Sequence, residues 1–147
     1  MSFRTFLPHV ALAVATLSIT GCGSVPADLD LSLQHPSRHG AFVVRLEPPA
    51  AWPAINQMHS WQLRVSAPDG SPVTDARIVF DGGMPQHRHG FPTKPRVTRE
   101  ISPGVYLLEG MKFSMTGWWD MRLDVRAGEA GDVVAFNVIV DHAGLRR

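Results

Sequence analysis

The sequence predicts an all-β chain, an immunoglobulin-like antiparallel β-sandwich of about seven strands, and three observations carry that expectation. Apolar and polar residues alternate over short stretches. In "WWDMRLDVR", Trp119, Met121, Leu123 and Val125 fall on one face and Trp118, Asp120, Arg122, Asp124 and Arg126 on the other. Turn signals such as "EPPAAWP", "APDGSP", "SPG" and "AGEAGD" separate the stretches. Nowhere does a 3.6-residue periodicity persist long enough for an amphipathic helix of several turns.

Taken in order, residues 1–21 read as an export signal: Arg4 near the start, an apolar run from Val10 to Leu17, then small residues before Cys22. That run is too short to span a bilayer stably. The stretch "ITGC" resembles the bacterial lipobox, in which the peptide is cut before the cysteine and that cysteine is acylated. Lipidation of Cys22 would also account for a single cysteine in an exported chain. Several acyl chains anchor a protein stably to a membrane. Gly23, rather than an aspartate, follows the cysteine, which favours a lipid-anchored, outer-membrane location facing the periplasm. Residues 22–39, "CGSVPADLDLSLQHPSRH", show no sustained periodicity and read as a flexible tether, so the folded domain is expected over 40–147.

The expected strands are Phe42 to Glu47, Trp61 to Val65, Ala76 to Phe80, Arg96 to Ile101, Val105 to Glu109, Trp118 to Arg126 and Val133 to Val140. "SPGVY" sets Tyr106 just after a tight turn, a setting shared by the tyrosine corner of sandwich domains and by an ordinary half-exposed strand tyrosine.

Charge narrows the function. Loss of residues 1–21 removes Arg4 alone among charged groups and leaves 13 Lys and Arg against 13 Asp and Glu. No basic footprint for nucleic acid exists. No G-x-S-x-G elbow or glycine-rich phosphate loop is present, and the carboxylates are dispersed, so the chain is not expected to be an enzyme.

The stretch "DGGMPQHRHGFPT" concentrates ligand chemistry. In an extended backbone His87 and His89 would face the same side about 6.6 Å apart, with Arg88 pointing away. Met84 lies three residues before His87, and "GMKFSMTGWW" adds Met111 and Met115. Histidine with thioether suits copper, Cu(I) above all, better than zinc. His59 could add a nitrogen or could simply open the strand at Trp61, and Met121, on an apolar strand face, belongs to the core.

The block "DARIVFDGGMPQHRHGFPTKPRVT" through "GVYLLEGMKFSMTGWWDMRLDV" to "DVVAFNVIV", about residues 75 to 140, resembles the YtkA-like domain, related to FixH. The resemblance implies an immunoglobulin-like sandwich outside the cytoplasm and a role in copper handling or oxidase assembly, with Met84, His87 and His89, and then Met111 and Met115, as ligands. The implied partners are a periplasmic copper protein or a respiratory complex. FixH-type proteins carry a transmembrane helix where this chain has its lipobox. A rival reading makes the chain a non-enzymatic interaction module. "MPQHRHGFPT" is then a recognition loop stiffened by Pro85, Pro92 and Pro95, with an exposed Trp118 as anchor.

Overall fold

The computed structural model describes residues 25–52 and 54–146; the export signal and Cys22 lie outside them. Ten strands and no helix occur among the described residues: β1 (Gln34–Pro36), β2 (Val43–Glu47), β3 (His59–Ser66), β4 (Arg77–Met84), β5 (His89–Gly90), β6 (Arg96–Ser102), β7 (Val105–Met111), β8 (Gly117–Ala127), β9 (Ala130–Asp141) and β10 (Gly144–Arg146). They form two antiparallel sheets, ordered β1-β2-β3-β7-β6 and β10-β9-β8-β4-β5.

All seven expected strands are present, as β2, β3, β4, β6, β7, β8 and β9. The three additions, β1, β5 and β10, are two or three residues long. A strand that short completes no alternation, so periodicity cannot announce it. The long strands behave as their pattern requires. Trp119, Met121, Leu123 and Val125 of β8 meet Trp61, Leu63 and Val65 of β3, Leu108 of β7 and Phe136 and Val138 of β9 in one apolar core between the sheets.

The domain begins earlier than residue 40. β1 pairs with β2, with Gln34 opposite Arg45, and the turn after it is tied to β9. The buried Asp132 carboxylate accepts hydrogen bonds from the His39 backbone N–H at 2.8 Å and from His39 Nδ1 at 3.0 Å. Burial alone would raise its pKa. Hydrogen bonds from Ser37, His39 and Val133 outweigh that and hold the carboxyl well below the usual carboxylate range. The clamp closes one side of the sandwich, and its partners lie 93 positions apart in the chain, beyond the reach of local pattern.

Tyr106 forms a true corner. Its hydroxyl accepts from the Ala76 N–H at 2.9 Å and donates to the Val73 carbonyl at 2.7 Å. The segment leading into β4 is thereby fixed against β7.

Candidate functional site

The candidate ligands gather at the end of the sandwich where β4 turns into β5 and where β7 leads towards β8. Two glycines make this turn fit. A Cβ on Gly82 would strike the Asp120 carbonyl, and one on Gly83 the His89 carbonyl. β4 is therefore squeezed between β8 and β5 in a way only glycine allows, with Gly83 opposite Gly90 and Met84 opposite His89.

The backbone between the two histidines is not extended. The His87 N–H donates to the Met84 carbonyl at 3.1 Å, closing a turn, and Arg88 adopts a left-handed φ of 54°. The two rings nevertheless come together, stacked with centroids 5.9 Å apart and planes inclined by 30°. Both side chains are exposed. His89 Nδ1 lies 2.8 Å from the Gly90 carbonyl. A carbonyl only accepts, so Nδ1 carries the proton and Nε2 keeps its lone pair for an incoming ligand.

Trp119 links this pair to the second methionine stretch. The His89 ring stands edge-on to Trp119 at 5.9 Å, and Trp119 Nε1 donates to the Met115 carbonyl at 3.2 Å. Met115 is 40% exposed, whereas Met84 is 1% exposed and packs with its methyl group under Gly117. A Cβ at Gly117 would stand 2.8 Å from that methyl, and its φ of +128° is itself a glycine conformation. Of the five predicted ligands, His87 and His89 stack on each other, His89 stands against Trp119, and Met115 is joined to Trp119 through its backbone carbonyl.

Met111 is fully buried in β7, opposite His59 of β3. His59 sits in an aromatic box, with Phe113 stacked at 5.4 Å, Trp52 at 6.1 Å and Trp61 at 6.5 Å. Burial pushes its pKa down, and a hydrogen bond to the Gln57 carbonyl pulls back against that. His59 Nε2 and Trp61 Nε1 are both buried without a hydrogen-bond partner among the described residues.

Sequence reading missed this aromatic floor. Phe91 lies 4.8 Å from Trp119 and 5.6 Å from Phe113, so both histidine regions share one apolar base. The signal for Trp119 was its inward parity in "GWWD". Trp52 carried none, because "EPPAAWP" reads as a turn. Trp118, expected to be exposed, is half-buried on the outer face of β8 and donates to Asn137 Oδ1 at 3.0 Å. The parity that turned it outward placed it beside an amide that covers its polar edge.

Beside His89 opens a shallow cleft of about 350 Å³, lined among others by Asp81, Arg88, Asp120 and Arg122. Asp120 accepts from the Gly83 N–H at 3.0 Å and faces Arg122 at 3.6 Å. No group of three or more histidine, cysteine or carboxylate side chains is gathered in one place among the described residues.

The fold defines a small all-β sandwich module with an exposed histidine pair and an exposed methionine beside Trp119. A family model described as YtkA-like matches residues 40–124, more than half of the chain, and the chain belongs to that family. Among solved structures it is similar to the ZirS C-terminal domain, at 10% identity and a TM-score of 0.43, over 93% of this chain and 92% of that one. No curated protein matches it.

Proposed function

We propose that this YtkA-like domain binds a copper ion at the Trp119 corner and serves as a delivery or buffering protein, held to the cell envelope by a lipid on Cys22. The observation that carries the reading is the stacked, exposed pair His87 and His89, with His89 Nε2 left as a lone-pair donor. Two imidazoles bind the ion, and the exposed thioether of Met115, whose backbone carbonyl accepts from Trp119 Nε1, completes a Cu(I) set. Met84 lies buried beneath as a reserve thioether whose use requires the Gly117 packing to loosen. Met111 belongs to the core.

Exposure of the ligands suits exchange with a partner protein, because an ion held at the rim leaves without unfolding the domain. The test is titration of the full chain with Cu(I) and Cu(II) against competing chelators. Joint replacement of His87→Ala and His89→Ala is expected to abolish binding, and Met115→Leu to weaken Cu(I) more than Cu(II). Binding by the double variant as tight as the parent's would defeat the reading. For the anchor, Cys22→Ala is expected to release the protein from the outer-membrane fraction or leave it unprocessed. Unchanged fractionation together with a free thiol at Cys22 would exclude lipidation.

A further inference from the structure

The edge of β4 is open along most of its length. β5 pairs only with Gly83 and Met84, so among the described residues Arg77–Gly82 have a strand neighbour on one side alone, β8; on the other, the non-strand segment from Phe91 to Pro95 borders Phe80–Gly82 across a cleft of about 280 Å³. A cleft of about 440 Å³ lies between the start of this edge and β6. Val79, in the middle, is 52% exposed.

Charges on an edge strand ordinarily discourage pairing with another chain. Here their spacing does the reverse for one partner. "RIVFD" is self-complementary about Val79: an antiparallel second copy brings Arg77 opposite Asp81, Ile78 opposite Phe80 and Val79 opposite its own counterpart.

The single copy leaves Arg77 poorly placed, while Asp81 lies opposite Arg122 and accepts from the Gly82 N–H at 2.8 Å. Arg77 lies opposite Arg126 in the β4–β8 register, a like-charged juxtaposition, and Arg126 is already bonded to Asp124 at 3.1 Å. Neither Arg77 nor Asp81 forms an ion pair among the described residues. The open stretch also has natural stops. β5 occupies the edge beyond Gly82, and Asp75, with a φ of 54°, turns the chain away before β4 begins.

We propose that β4 is a homodimerisation edge: two copies pair antiparallel about Val79, joining their sheets, with two Arg77–Asp81 ion pairs across the dyad. The interface is a short strand pairing, so the dimer is a weak, reversible one.

The test is cysteine cross-linking of the full chain. Val79→Cys places the two thiols at the dyad, where opposed strand residues bring their Cβ atoms within disulfide reach. Mild oxidation with diamide is expected to give a covalent dimer on non-reducing gels, well above that from the parent and from Glu129→Cys in the exposed β8–β9 turn. Adding Arg77→Asp, which sets carboxylate against carboxylate, is expected to lower the yield about tenfold, and adding Asp81→Arg as well to restore it. Cross-linking no stronger than the Glu129→Cys control, or a yield indifferent to the charge changes, would overturn the proposal.

Discussion

Replacing Tyr106 by phenylalanine isolates the corner that fixes the entry to β4. The ring stays, so apolar burial is unchanged, and only the hydroxyl is lost. With it go two hydrogen bonds, from the Ala76 N–H at 2.9 Å and to the Val73 carbonyl at 2.7 Å. Burial leads the effects that raise the phenol's pKa, so the hydroxyl is protonated and able to donate at neutral pH. Fully buried orphan groups cost about 1 to 3 kcal/mol. Val73 and Ala76 are only partly buried, so water recovers some of the loss and about 1 to 2 kcal/mol is expected. For a domain of this size that is a fall of about 3 to 8 °C in Tm. Thermal and urea unfolding followed by far-ultraviolet circular dichroism reads it directly. A variant that unfolds at the parent's midpoint would refute the claim that the corner restrains the fold.

Leu123→Ala empties a fully buried position between Phe80 and Val134 and is expected to cost about 2 to 5 kcal/mol by urea unfolding. Arg122→Ala, half-exposed and 3.6 Å from Asp120, should stay within about 0.5 kcal/mol, and equal effects would mean the face assignment is wrong. His59 makes stability depend on pH with a definite sign. Its folded-state pKa is depressed, so as pH falls through the ordinary histidine value of about 6.5 the unfolded chain takes up a proton the folded chain refuses. The stability difference between pH 7.5 and pH 5, roughly the range in which histidines titrate, is therefore expected to shrink in His59→Phe. An identical pH dependence in parent and variant would show that the buried ring does not resist protonation.

Legibility in the sequence followed the range of the interaction. The alternation at Trp119, Met121, Leu123 and Val125 is local, and it located β8 and its inward face correctly. The clamp of Asp132 on His39 joins distant segments, so the start of the domain was placed too late. At the site, composition alone brought Met84, His87, His89 and Met115 forward, but not the geometry. Arg88 takes a left-handed φ within a turn, whereas the same-side placement of His87 and His89 was read on the condition of an extended backbone. Met111 shares a motif with Met115 yet lies opposite His59, because Gly110, at a φ of 82°, breaks the strand's alternation and turns the next side chain inward. Trp119 at the base of the corner was legible as core and not as a scaffold for the ligands.

The copper reading is tested most directly by X-ray absorption spectroscopy of the full chain loaded with one equivalent of Cu(I). The expected result is an imidazole nitrogen shell together with a sulfur shell. The imidazole signature should disappear with His87→Ala and His89→Ala, and the sulfur should be lost or reduced with Met115→Leu. A spectrum without sulfur, or one unchanged by removing both histidines, would contradict a copper centre at the Trp119 corner.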